Sequence, residues 1–242
     1  VDFNFNKKVA AIVSGSVLAM AISSAATAED SGPSFSANVG VVSDYRFRGI
    51  SQTDTGPAIQ GGVDLDLGNG VYLGTWASQV DFAYGADETK FEQDFYGGYA
   101  GETAGGVGYD VGYIYYAYHG SDWDEDYQEV YGSLSFGDAS VGFAYSDDYW
   151  LQSGAFYYLS AGYSFALAND ISLDLSAGLN LFDEEVFLDG SDSYIDYSVS
   201  VGKEFGGLAL SASLVGTDVS DKECFYTDWC EPTVLAGASY SW

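Results

Sequence analysis

The sequence predicts an all-β chain closed into a transmembrane antiparallel up-and-down β-barrel of about 12 strands, with short periplasmic turns and longer acidic extracellular loops. Three observations predict it. Apolar and polar residues alternate with a period of two almost throughout the chain after residue 28. Most of the alternating runs reach about ten residues or more, long for a soluble strand but right for a tilted strand crossing hydrocarbon. The connections between runs alternate between tight turns and longer, acid-rich loops, as they do in outer-membrane barrels.

Residues 1–28 have the pattern of a secretory signal peptide. Lys7 and Lys8 precede an apolar stretch from Val9 to Ile22, and Ala26-Thr27-Ala28 is a small-x-small cleavage site. The expected organisation is a leader over 1–28 and a barrel over 29–242, exported to the outer membrane of a Gram-negative bacterium. A retained anchor helix is the alternative. Beyond the leader the basic residues are Arg46, Arg48, Lys90, Lys203 and Lys222, in a chain whose formal net charge is −29. Phosphate binding needs clustered positive charge, so nucleic acid is not an expected partner. With 47% apolar and 17% aromatic residues, the chain has too much surface to bury to stay disordered. The two cysteines, Cys224 and Cys230, are expected to form one short-loop disulfide in an exported protein.

The expected strands cover 34–48, 57–68, 71–82, 91–101, 107–118, 127–136, 140–147, 153–167, 171–182, 193–205, 208–217 and 233–242. The run 171–182 is the clearest. Ile171, Leu173, Leu175, Ala177, Leu179 and Leu181 share one face, and Ser172, Asp174, Ser176, Gly178 and Asn180 share the other. A soluble β-sandwich is the competing architecture, because alternation alone does not separate the two. The non-apolar faces argue for the barrel: they are Ser, Gly, Asp and Tyr rather than the Lys, Glu and Arg of a watered surface. Aromatics on the apolar faces gather at strand ends. Phe47, Tyr115, Tyr145 and Tyr197 fall toward the long loops, and Phe35, Phe136, Phe165, Tyr240 and Trp242 toward the short turns, as two interfacial girdles. Val234, Ala236, Ala238, Tyr240 and Trp242 share one parity, and Tyr240 with the terminal Trp242 resembles the signal read by the outer-membrane assembly machinery.

The first run holds both arginines of the chain. As one strand it puts Phe35, Ala37, Val39, Val41, Tyr45 and Phe47 toward lipid and Asp44, Arg46 and Arg48 toward the lumen. The same parity argument points Asp64, Asp66, Asp81, Glu92, Asp94, Asp110, Glu129, Asp174 and Asp196 inward. Two readings of the arginines stand side by side. They clamp the wall and offset acid repulsion, or they form a charged constriction that filters solutes. Bulky inward residues, among them Tyr96, Tyr116, Tyr131, Phe156 and Tyr158, narrow a lumen whose backbone radius should be roughly 12 Å.

The stretch VGVVSDYRFRGISQTDTGPAIQGGVD (39–64), followed by GVYLGTWAS (70–78) and DFYGGYAG (94–101), resembles the TorF-type putative porin family of outer-membrane proteins. The likeness covers nearly the whole chain after the leader and is most specific over 43–64. It implies a barrel and a channel role, with no substrate and no catalytic residues to carry over.

The function expected is passive diffusion of small hydrophilic solutes through a narrow, cation-preferring pore, in contact with outer-membrane lipid and lipopolysaccharide and without cofactor or metal. A non-conducting structural or adhesive barrel is the alternative. A more distant one is a lipid hydrolase using His119 and Ser121, set against a plain loop histidine. The acidic loops lack the spacing of a calcium loop and read as solvated charge, or as loose divalent bridges to the outer leaflet.

Overall fold

The computed structural model describes residues 32–84, 87–185 and 188–242; the leader expected over 1–28 lies outside them. Its strands are β1 (Ser34–Val42), β2 (Arg46–Phe47), β3 (Ile50–Ser51), β4 (Ala58–Asp66), β5 (Val71–Tyr84), β6 (Asp87–Glu102), β7 (Val107–His119), β8 (Tyr127–Phe136), β9 (Ala139–Ser146), β10 (Phe156–Ala166), β11 (Ile171–Phe182), β12 (Ser193–Phe205), β13 (Leu208–Thr217) and β14 (Thr233–Ser241). β1 and β4 to β14 form a closed, antiparallel 12-stranded barrel, and β2 with β3 forms a separate two-stranded ribbon. Closure falls on β1, which pairs with β14 on one side and β4 on the other. Beyond the last paired residues, Ala37 N–H donates to the carbonyl of Trp242 at 3.2 Å and Trp242 N–H donates back to Ala37 at 3.1 Å. The seam therefore leaves no strand edge to recruit another chain.

The period-two pattern becomes two surfaces. On β11, Leu175 and Leu179 are exposed on the outer face, while Gly178 and Asn180 are buried inside. The outer wall is a continuous band of Val, Leu, Ile and Phe. At the short-turn end it carries Phe35, Phe136, Phe165, Tyr240 and Trp242, with Phe35 75% and Trp242 67% exposed. In water such a band would aggregate; around a barrel it is the surface that meets acyl chains. No helix among the described residues is long and apolar enough to cross a membrane. Crossing is by strands, and the barrel supports an outer-membrane location.

The structure corrects the first strand. β1 ends at Val42, not at residue 48, after which the chain bends at Ser43–Asp44 and runs into the barrel as the β2–β3 ribbon. Tyr45 and Phe47 therefore leave the expected lipid face and girdle. Tyr45 is buried against Trp76, with ring centroids 5.6 Å apart, and Phe47 packs edge-on against Tyr116 at 5.8 Å. Asp81 is corrected too. The inward positions of β5 are Tyr72, Trp76, Ser78, Val80 and Phe82, so Asp81 faces outward, half-exposed and paired with Lys90, beside a register shift between Gln79 and Phe82.

The two faces of one strand should respond differently to charge. Val199→Arg, on the outer wall of β12, is expected to lower stability by about 2–4 kcal/mol. Ser200→Arg, its inward neighbour, should cost much less. Urea unfolding in lipid vesicles measures both, and equal losses would contradict the assignment of faces.

Candidate functional site

The long-loop end of the barrel is crossed by the β2–β3 ribbon. Its turn is Arg48–Gly49, both in the left-handed region (φ 46° and 84°), between the paired residues Phe47 and Ile50. Two successive residues with positive φ make the tight turn whose twist suits a two-residue hairpin. Glycine is required at the second position for a further reason. A Cβ on Gly49 would lie 2.5 Å from Thr217 Cγ2 and 3.2 Å from Asp196 Cβ, so the turn is pressed against the β12–β13 wall.

Asp44 ties the base of the ribbon. Its Oδ1 accepts from Ser51 Oγ at 2.6 Å and from Thr53 Oγ1 at 3.1 Å, and its Oδ2 accepts from Arg46 Nε at 2.6 Å. Asp81 N–H donates to the Gln52 carbonyl at 2.7 Å and fixes the return strand to β5. Arg46 then reaches upward. Its Nη1 donates to the carbonyls of Gly49 (3.1 Å), Glu231 (3.2 Å) and Trp229, which joins the ribbon to the 218–232 loop. That loop is closed by the Cys224–Cys230 disulfide and is held from the other side by Trp229 Nε1 donating to Asp54 Oδ1 at 2.8 Å.

Arg48 fastens the ribbon to the far wall. Its two terminal nitrogens donate in parallel to Glu129 of β8, Nη1 to Oε1 at 2.8 Å and Nη2 to Oε2 at 2.9 Å. The guanidinium lies over the rings of Phe47, Phe156 and Tyr158, 4.4–4.7 Å from their centroids. Both partners are buried, and Tyr116 donates a further bond to Glu129 at 3.3 Å while Tyr194 donates to the Arg48 carbonyl at 3.1 Å. Glu129 is the third residue of β8, so this anchor sits roughly 7 Å below the strand's upper end.

Four more of the expected inward acids line the lumen. Asp94 is buried; its Oδ1 has no hydrogen-bond partner among the described residues. Asp196 accepts from Asn180 Nδ2 at 2.8 Å and Tyr158 at 3.2 Å. Further down, Asp64 accepts from Tyr96 at 2.5 Å and Asp174 from Ser172 at 2.9 Å. Asp66 stands apart, capping the β4–β5 turn by accepting from Gly68 N–H at 2.7 Å. Cys224 and Cys230 are bonded as expected, and Tyr240 and Trp242 close the outer seam. Sequence reasoning did not single out Tyr45, whose hydroxyl donates to buried Glu92 at 3.3 Å, because its parity matched lipid-facing residues.

The lower tyrosines do not narrow the lumen in the way their bulk implies. Tyr96 lies across Gly74 and Tyr131 across Gly112 on the neighbouring strands, so close that a Cβ at either glycine would fall 2.3 Å from a tyrosine atom. These rings lie along the wall instead of pointing at the axis.

The family model described as "Bacterial protein of unknown function (Gcw_chp)" matches residues 25–238. No curated protein matches the chain. Among solved structures, a "KdgM porin" has a TM-score of 0.53 at 11% identity, with 86% of this chain and 99% of that chain covered. A "KdgM porin in complex with disordered oligogalacturonate" has a TM-score of 0.52 at 10% identity, with 86% and 98% covered. At these identities the likeness is one of fold.

Removing one partner of the anchor leaves a buried charge unpaired. Arg48→Ala is expected to cost about 3–5 kcal/mol, and the double change Arg48→Met with Glu129→Gln distinctly less than Arg48→Ala alone. Equilibrium unfolding of the detergent-folded barrel checks both; a double variant no more stable than Arg48→Ala would mean that the pair is not the fastening.

Proposed function

The chain belongs to the Gcw_chp family of bacterial proteins of unknown function, and we propose that it is a narrow outer-membrane channel for passive diffusion of small hydrophilic solutes, with the β2–β3 ribbon as its constriction. The observation that carries this reading is the Arg48–Glu129 anchor, which holds a loop across the mouth of a closed barrel while the wall below stays polar. The resemblance of residues 39–64 to the TorF-type family supports the same role, as does the fold shared with the KdgM porins.

Carboxylates outnumber basic groups in the lumen, so the pore prefers cations. A polyanion such as the oligogalacturonate bound by one of the structural neighbours does not complement this interior. In this reading the leader directs export, Tyr240 and Trp242 present the seam strand to the assembly machinery, and the outer band sits among lipid and lipopolysaccharide. No catalytic role falls to His119 or Ser121. The His119 ring rests on Phe91 at 6.0 Å, while Ser121 Oγ donates to Glu125 at 2.8 Å and accepts from Thr89 at 2.9 Å. The acidic loops are solvated charge.

One observation favours a second reading, a non-conducting structural barrel. Aromatic clusters flank the ribbon on both sides, one around Tyr116, Tyr127, Tyr149 and Phe156 and the other around Tyr45, Trp76 and Phe82, and together they fill much of the mouth.

Planar-bilayer recording separates the two. The wild-type chain is expected to give small, cation-selective steps. Replacing residues 44–55 by a short Gly-Ser linker should raise the conductance several-fold, and Asp64→Asn with Asp174→Asn should reduce the cation preference. Absence of current from both the wild-type and the ribbon-less chain would leave the structural reading.

A further inference from the structure

Above the ribbon, on the long-loop side, lies a half-enclosed cup of about 400 Å³. This is within the lower range of small-molecule sites. Its floor is the ribbon itself, through Phe47 and Ile50. Its walls come from the upper ends of several strands and from three loops, with Phe82, Tyr118, Tyr127, Tyr149, Trp150 and Tyr194 among them, and its rim is the disulfide loop from Glu223 to Cys230.

The walls are preset. Tyr127 and Tyr149 stand 4.7 Å apart between ring centroids, Phe82 and Trp150 5.4 Å, and Tyr149 is stacked on Phe156 at 4.3 Å. A guest entering the cup need not order these rings, which removes one of the main costs of binding.

Charge decides the class of guest. Aromatic faces carry the negative side of the ring quadrupole and attract cations. Among the described residues that line the cup, the charged one is Glu223, whose Oε2 accepts from the backbone N–H and the hydroxyl of Ser220 at 2.9 and 2.6 Å. Those donors, the hydroxyl first, hold its carboxyl below the usual range, so it is ionised. Two cations lie nearby, and each has an acid partner of its own. Arg48, beneath the floor against Phe47 and within reach of Tyr149, is held by Glu129, and Lys222, whose charge also reaches Glu223, lies 3.6 Å from the Asp189 carboxylate with Nζ donating to the Asp189 carbonyl at 3.2 Å. The surrounding loops add Asp122, Asp124, Asp147, Asp148 and Glu184.

We propose that this cup is a binding site for a small organic cation with an aromatic or quaternary-ammonium head, captured from the extracellular side. The cation lies against the ring faces with Glu223 at the rim. The inference goes beyond the channel reading and does not depend on conduction: a cup that binds on a silent barrel, or a conducting barrel with an inert cup, are separable results.

Isothermal titration calorimetry on the detergent-folded full barrel tests it, with benzyltrimethylammonium as the probe and toluenesulfonate as its anionic counterpart. The expected result is saturable one-site binding of the ammonium only. Glu223→Gln and Trp150→Ala should each weaken it roughly five- to tenfold. Should Trp150→Ala fail to show the heat-modifiable gel mobility of a folded barrel, Phe225→Ala on the exposed rim takes its place. The proposal is overturned if toluenesulfonate binds as tightly as the ammonium, if neither ion gives a saturable heat, or if the folded wall or rim variant binds the ammonium unchanged.

Discussion

Everything in this molecule follows from the requirement that no backbone N–H or C=O be left unpaired inside hydrocarbon. A sheet meets that requirement only by closing, because a free edge in lipid would expose a row of unsatisfied groups, each costing several kcal/mol. Here closure is made by β1, held between β4 and β14 and locked at the base by reciprocal bonds between Ala37 and Trp242. Once the ring is shut, the pleat sorts the side chains. The same alternation that turns Leu175 and Leu179 toward acyl chains turns Gly178 and Asn180 inward. The apolar exterior and the polar interior are one constraint seen from two sides.

That constraint also explains the mouth. A barrel of this size has an interior wider than its own side chains can fill when tyrosines such as Tyr96 and Tyr131 lie flat on glycines of the next strand. The chain fills the upper part with an insertion from its first long loop. An inserted ribbon brings backbone and charge into a confined space, and both must be satisfied there. Asp44 gathers Ser51, Thr53 and Arg46, the carbonyls of the disulfide loop receive Arg46, and the wall supplies Glu129 to Arg48. The disulfide loop and the ribbon are thus parts of one structure, although 183 residues separate Arg46 from Trp229.

The sequence displays the strands and their faces plainly, because period two is a local property. Twelve runs were legible, and all twelve became barrel strands, with the largest boundary changes at the first and at β6, which begins at Asp87 rather than 91. The ribbon was not legible for a physical reason. In DYRFRG, Tyr45 and Phe47 alternate with Asp44, Arg46 and Arg48 as they would on a continuing strand. Nothing in the parity reveals that the chain has already left the wall, so parity alone assigns Tyr45 and Phe47 to the lipid side. The available signal was Arg48–Gly49 as a two-residue turn between Phe47 and Ile50. Arg48 is a poor residue for a left-handed position, which masks the turn. The partner was beyond local reading as well: parity turned Glu129 inward, but nothing short of the fold selects it from the other inward acids, 81 residues along the chain.

The two arginines do different work, and the difference argues that their chemistry rather than their charge is what the mouth requires. Arg46 spreads one guanidinium over a carboxylate and three carbonyls from two separate segments. Arg48 uses two parallel donors on a single carboxylate and presents its planar faces to three rings. A lysine could neutralise Asp44 or Glu129, but its point charge has neither a fork for two oxygens nor a plane to lie between rings. It is also more strongly hydrated and would resist burial at this site. In a chain with a formal charge of −29, ionic attraction to a carboxylate is available to any cation. What fixes the ribbon in one place is the geometric demand of a planar, five-donor group. Among the described residues the other cations, Lys90, Lys203 and Lys222, take no part in anchoring the ribbon, and there a flexible ammonium suffices.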